Sequence, residues 1–321
     1  MESLQATWAA RDLVDRGGPV RLRVVSRHNH VINLQADEWK HMVMLADPEV
    51  YKGPASAGLD MLDFRALQSC VKPGDAACFR EGEIEFYGSF GIRVSLNAAE
   101  RVSFSVPPNV KYDAAAIGAA SVRDSMAELA APHLCSCLLK DGGFPADPFA
   151  ETLTREFPRL LRSLADGTQN EFIDAASAIV GLGYGSTPTG DDLIHGALVA
   201  LHYLKRITHK NLTIPSLPRS ICAKTTLLGA HMLETGILGL TSEPVRNFAL
   251  NLLAGNPIEP TFADLRRMGS DSGCTSAVGF YLMVLESRKS LASIGDHDPR
   301  NDEKQAVKVN SAYAFAQYKE S

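Results

Sequence analysis

The sequence predicts an α+β fold, with a β-rich first half and an α-helical second half. Three observations predict it. Period-two alternation of apolar residues recurs from Val20 to Val106. Apolar residues at helical spacing fill the chain from about residue 113 to about residue 288. The texture changes at Pro107-Pro108-Asn109, the best boundary in the chain. The regions are a β-rich domain over 1–110 (an antiparallel sheet or small barrel), an α-helical domain over 111–288, and a polar, loosely ordered tail over 289–321.

Residues 1–18 read as a short helical or irregular lead-in. Val20, Leu22 and Val24 mark a strand. The extended pattern continues through His28-Asn29-His30-Val31-Ile32-Asn33-Leu34, with His28 and His30 on one strand face, as a metal pair or as two surface histidines. Lys52-Gly53-Pro54-Ala55 is a loop. Ile84 and Phe86, then Ile92, Val94 and Leu96, then Val102, Phe104 and Val106 give further strands.

Helical patterns cover 113–130, 147–166 and 170–181. Leu193, Ala197, Leu201 and Leu204 mark the buried face of the next helix, with Asp191, His195 and His202 on another face. Thr225-Thr226 opens a helix with Leu233 and Ile237 at core spacing. Its Gly229, Gly236 and Gly239 fit close packing against another backbone. Ser242-Glu243-Pro244 opens a helix to about residue 254, and Thr261-Phe262-Ala263-Asp264 a short one ending at Arg266-Arg267.

The 321 residues are enough for two cores, and 45% hydrophobic content marks an ordinary globular chain. A net charge of -5 leaves no basic footprint, which argues against nucleic acid as a partner. There is no signal-peptide pattern and no apolar run that spans a bilayer. Cys70, Cys78, Cys135, Cys137, Cys222 and Cys274 are scattered, as free thiols in a reducing cytoplasm would be. Cys135-Ser136-Cys137 reads as core thiols, with metal binding as the lesser alternative.

The chemistry concentrates in Gly181-Leu182-Gly183-Tyr184-Gly185-Ser186-Thr187-Pro188-Thr189-Gly190-Asp191-Asp192, set between two apolar helices. Glycine permits positive φ and close backbone approach to a ligand. Thr189-Gly190-Asp191-Asp192 has capping-box spacing, and free N–H groups at a helix start favour anions. The glycine spacing is neither dinucleotide-binding nor P-loop, and no cofactor is expected.

Gly269-Ser270-Asp271-Ser272-Gly273-Cys274-Thr275-Ser276 repeats the character and also opens an apolar helix. The two loops are expected side by side around one anionic ligand. Gly183, Gly185, Ser186, Thr187, Thr189, Gly190, Ser270, Ser272 and Gly273 would supply backbone and hydroxyl donors, and Arg266 and Arg267 either a bidentate clamp or a charge pair at a helix C-terminus. Asp191, Asp192 and His195 form an acid/base set, a set of metal ligands, or capping acids with an ion partner. Asp191 is expected nearer the ligand, with Asp192 as cap and brace.

The central loop, followed by its small-residue helix, resembles the AllH-type family, whose name-giving members are the third subunit of bacterial oxamate carbamoyltransferase. The resemblance extends to Thr225-Thr226 with Gly236 downstream, to the Gly269–Gly273 loop and to Val31-Ile32-Asn33-Leu34, over roughly residues 20–288. It implies a transferase-complex subunit in purine-nitrogen (allantoin-type) catabolism. Such a subunit would act on oxamate or oxalurate and carbamoyl phosphate beside other carbamoyltransferase chains, with Thr225 and Thr226 joining the site. Two alternatives stay open: a non-catalytic module that binds an anionic metabolite, and a metal-dependent hydrolase using Asp191, Asp192 and His195.

Overall fold

The computed structural model describes residues 3–15, 19–36, 42–87, 91–139, 147–208 and 212–292. The strands are β1 (Ser3–Ala10), β2 (Val20–Arg27), β3 (Val31–Ala36), β4 (Met42–Ala46), β5 (Ser56–Leu59), β6 (Ala76–Arg80), β7 (Glu83–Phe86), β8 (Arg93–Ser95) and β9 (Glu100–Val102). Two helices interrupt them, α1 (Arg11–Val14) and α2 (Met61–Cys70). Ten helices follow: α3 (Ala114–Ile117), α4 (Ala120–Ala130), α5 (Ala150–Asp166), α6 (Gln169–Ile179), α7 (Thr189–Thr208), α8 (Arg219–Cys222), α9 (Leu227–Ile237), α10 (Glu243–Ala254), α11 (Phe262–Arg267) and α12 (Ser272–Ala292).

The strands run in the order β5-β4-β3-β2-β6-β7-β8-β1-β9, and β5 also pairs with β1, which closes the sheet into a barrel of eight staves. In the closing stave Ala6 lies opposite Leu59 and Trp8 opposite Gly58, antiparallel. On its other edge β1 runs parallel to β8 at Ser3–Gln5 and to β9 at Trp8–Ala10. Alternation drives closure: Leu22 and Val24, Ile32 and Leu34, and Ile84 and Val94 all point into one core, which α2 covers with Phe64 and Leu67. Each such side chain contributes roughly 1.5–3 kcal/mol by leaving water.

The first half therefore differs from the expectation in three places. Residues 3–10 are a strand and not a lead-in. His28-Asn29-His30 is the bend between β2 and β3, so the two histidines share no strand face; His30 Nδ1 instead meets the Asp47 carboxylate at 2.8 Å. The last strand stops at Val102, and Phe104 reaches the barrel core from irregular chain.

A second buried cluster runs from Ile117 to Val284 and belongs to the helices. At its centre is α7, whose residues from Thr189 to Leu201 are all buried. Its apolar residues are not one stripe, because both α9 and α12 pack against it. Small residues make this possible. A Cβ on Gly196 would stand 2.0 Å from the Ser276 carbonyl oxygen, and one on Gly279 2.3 Å from that of Leu193. Helix α12 continues to Ala292, past the expected end at 288; the rest of the expected tail lies outside the described residues.

Residues 241–246 dock the helices onto the barrel loops. Thr241 N donates to the Phe104 carbonyl at 3.3 Å, and Glu243 N to that of Lys52 at 2.9 Å. The Arg246 guanidinium donates to the Ser103 carbonyl at 2.8 Å. Among the described residues no helix is long and apolar enough to cross a membrane.

Candidate functional site

The glycines of the central loop let it fold back on the start of α7. Gly181, Gly183 and Gly185 all have positive φ. A Cβ on Gly183 would lie 2.6 Å from Thr189 N, and one on Gly190 1.9 Å from the Ile179 carbonyl oxygen. Gly185 is different: it is exposed, with nothing near its missing side chain.

Asp191 is the clasp of this turn. One carboxylate oxygen accepts from Gly181 N at 2.8 Å and the other accepts the Thr225 hydroxyl. Burial pushes its pKa up to about 6, although both hydrogen bonds favour the charged form. Thr226 fixes the same junction from the other side. Its oxygen accepts from Gly229 N at 2.9 Å, capping α9, and its hydroxyl donates to the Ser186 carbonyl.

The two small-residue loops meet directly. The Thr187 and Ser272 hydroxyls share a hydrogen bond, and both residues are buried. Behind them sits Asp192, fully buried. Burial holds its pKa well above the ordinary carboxylate range, and the negative charges of Asp271 and Asp191 push the same way. The Ser272 and Thr187 hydroxyls are near enough to oppose that rise, yet neither Asp192 oxygen has a hydrogen bond of normal geometry. Burial and the Asp192 charge push the Tyr51 hydroxyl up to about 12, so Tyr51, on the barrel side, feels the same carboxylate.

One turn along α7, burial drives the His195 pKa down to about 4. Its Nε2 lies 3.3 Å from the Leu240 carbonyl and its Nδ1 3.4 Å from the Ser276 hydroxyl. A carbonyl only accepts, so the proton sits on Nε2 and the neutral ring is held at both ends.

These groups surround a cavity of about 170 Å³ between barrel and helices. Val31, Asn33, Met44 and Tyr51 line it from the barrel; Ser186, Thr187, His195, His231, Met232 and Ser272 line it from the helices. Among the described residues no lysine, arginine, aspartate or glutamate lines it. It is smaller than the roughly 300–1,000 Å³ of a drug-sized pocket. It adjoins a groove of about 890 Å³ through Val31, Val50, Tyr51 and Gly269, which line both. That groove is charged, with His30, Lys52 and Arg267 against Glu49, Glu243 and Asp264.

Ser186, Thr187, His195 and Ser272 thus come together at the cavity, with Asp192 behind them, while Asp191, Thr225 and Thr226 brace the loop. Other expected residues stand elsewhere. Ser270 is exposed and bonds Asp271 at 3.1 Å. Arg266 is exposed, with its guanidinium 5.7 Å from the centre of the Phe262 ring, and forms no clamp at the cavity. A Cβ on Gly273 would meet the Leu265 carbonyl oxygen at 2.2 Å, so this glycine serves helix packing.

The capping box does not form: the Thr189 hydroxyl is buried without a partner. The N–H groups at the start of α7 are not free for an anion either. Gly190 N donates to the Leu182 carbonyl at 2.8 Å, and Asp191 N and Asp192 N to that of Pro188 at 2.9 and 3.2 Å. The expected roles of the two acids are exchanged, because Asp191 is the brace and Asp192 faces the hydroxyls. Asp191 and His195 turn to different partners, and among the described residues no three His, Cys, Asp or Glu side chains are grouped to hold a metal ion.

Asn33 and Tyr51 had no place in the expected site. Asn33 left a trace, as the one polar residue in Val31-Ile32-Asn33-Leu34.

Comparison with known families covers both halves. A family model described as the AllH family N-terminal domain matches residues 3–101. A second, described as oxamate carbamoyltransferase subunit AllH, matches residues 179–284, which include both loops. No curated protein and no solved structure matches the chain. With barrel and helical core both matched, the chain belongs to the AllH family, which takes its name from a subunit of oxamate carbamoyltransferase.

Proposed function

We propose that this chain is a working subunit of a cytoplasmic carbamoyltransferase complex that handles oxamate or oxalurate and carbamoyl phosphate in allantoin-type purine catabolism. The observation that carries the reading is the contact between Thr187 and Ser272 at the mouth of a buried carboxyl, in a chain of this family. In the reaction, the amide nitrogen of oxamate attacks the carbamoyl carbon. The carbon–oxygen bond to phosphate breaks, phosphate leaves, and the nitrogen gives up one proton. Such chemistry needs a place for charged ends, a dry place for the reacting amide and an acceptor for the proton.

The groove with Lys52 and Arg267 suits the charged ends, and the uncharged cavity suits the amide. Asp192, its pKa raised by burial, accepts the proton through the Thr187 and Ser272 hydroxyls. Neutral His195, held at both nitrogens, positions the cavity wall. The test is phosphate release by the reconstituted complex with and without this chain. Transfer requires the chain, and Asp192→Asn lowers the rate at least about tenfold while the complex still assembles. An unaltered rate without the chain overturns the reading. Full transfer by complexes carrying Asp192→Asn reduces the chain to a binding module.

A further inference from the structure

We propose that the inner cavity is a receptor for the uncharged primary-amide end of the ligand and that Asn33 reads that end. The proposal rests on the carbamoyltransferase reading and deepens it. Asn33 stands on β3 with its side chain buried, and it lines the cavity. Its Nδ2 lies 2.9 Å from the Ser26 hydroxyl, and its other amide atom has no hydrogen-bond partner. A buried amide atom left unpaired in the empty fold is satisfied by a ligand that brings the matching group. A primary amide carries both a donor and an acceptor, so it pairs with Asn33 whichever way the Asn33 amide is turned.

The rest of the lining points the same way. Ser186, Thr187 and Ser272 offer hydroxyls that donate or accept, and methionines at 44, 232 and 268 close the remaining wall. Among the described residues no lysine or arginine lines this space to receive a carboxylate, and the Asp192 carboxyl lies behind the Thr187 and Ser272 hydroxyls, so the space suits an uncharged end better than a charged one. The small volume restricts the guest to a short amide or ureido group. Its anionic end then faces the adjoining charged groove, which Lys52 and Arg267 line. The groove's own acids, Glu49, Glu243 and Asp264, leave those cations as the attractive positions.

The test is calorimetric titration of the full chain with oxamate, with oxalate (amide replaced by carboxylate) and with oxamide (uncharged, an amide at both ends). Oxamate is expected to bind at least about tenfold tighter than oxalate, and oxamide to bind measurably. In Asn33→Leu, which keeps the volume and removes the polar atoms, the preference for oxamate falls to within about threefold, with an unchanged circular-dichroism spectrum. Equal affinity of the wild-type chain for oxamate and oxalate overturns the amide receptor and leaves the carbamoyltransferase reading standing. Binding of oxamide without oxamate supports the receptor and removes oxamate as the substrate. Failure of all three to bind, with the chain folded, overturns the receptor.

Discussion

Asp192 ties stability to pH through a single side chain. Its folded pKa is raised by burial, so the folded state holds the proton more tightly than the unfolded one. Its contribution is fully present at low pH and is lost as pH rises from the ordinary carboxylate range through the folded value. Asp191 acts in the same direction, up to about 6. His195 acts in the opposite direction: with a folded pKa of about 4, it adds stability as pH rises from there to the ordinary histidine value. Asp192→Asn removes one of the three. Its Tm relative to wild type should shift in its favour as pH rises above the ordinary carboxylate range, each unit of the lost elevation being worth about 1.4 kcal/mol. A gap that stays constant with pH would mean that burial does not raise this carboxyl's pKa.

The neighbouring threonines give a second contrast. Thr226→Ala should lower the free energy of urea unfolding by about 1 kcal/mol, because it removes a real cap. Thr189→Val should change it by less than about 0.5 kcal/mol, because the hydroxyl it removes has no partner. Capping-box spacing marked Thr189 in the sequence, but spacing does not fix the residue at which a helix begins. Here the Pro188 carbonyl accepts from Asp192 N, so the helix starts one residue early and the threonine lies inside it.

At the scale of elements, α7 is held by backbone contact. Gly196→Ala would force a methyl group against the Ser276 carbonyl of α12, neither of which can yield without moving a helix. A loss of about 3 kcal/mol is expected in urea unfolding. Gly185→Ala, in open space but at positive φ, should cost only about 1–2 kcal/mol. Equal effects of the two would remove close packing as the reason for Gly196. The glycines of α9 announced such contacts in the sequence, and Gly236 does lie against His195. The full burial of α7 was harder to read, since leucines and alanines at 193–201 fit one stripe or an encircled helix equally well until the neighbours are placed. Strand β1 was hidden for a related reason. Its inward positions are Leu4, Ala6 and Trp8, and a small alanine at the middle one blurs the alternation that revealed β2 and β7.

At the scale of the molecule, the site belongs to neither half alone. Local patterns located both loops and both kinds of secondary structure, but the cavity wall made by Asn33 and Tyr51 depends on docking across a long sequence separation. No short-range pattern records it. We propose that barrel and helical body are separate folding units divided near Pro107-Pro108. Fragments 1–110 and 111–321 should each show a cooperative transition in scanning calorimetry, and neither alone should be stabilised by oxamate. The intact chain, which closes the cavity, should be. A ligand shift in the isolated helical fragment as large as in the whole chain would place the site outside the cleft.

The barrel's closing stave sets a timetable for the nascent chain. Of the nine described strands β1 is made first, yet its partners β5, β8 and β9 end only at Leu59, Ser95 and Val102. As the ribosome extends the chain, one edge of this strand waits for β5, and the other stays unpaired until almost the whole barrel has emerged. Folding is then limited by long-range closure, which is slow. The antiparallel meander made early by β2, β3 and β4 must wait, open and adhesive, for closure by a strand synthesised before it. Refolding in vitro should therefore show a fast hairpin phase and a slower closure phase, and only the slower one should bury Trp8.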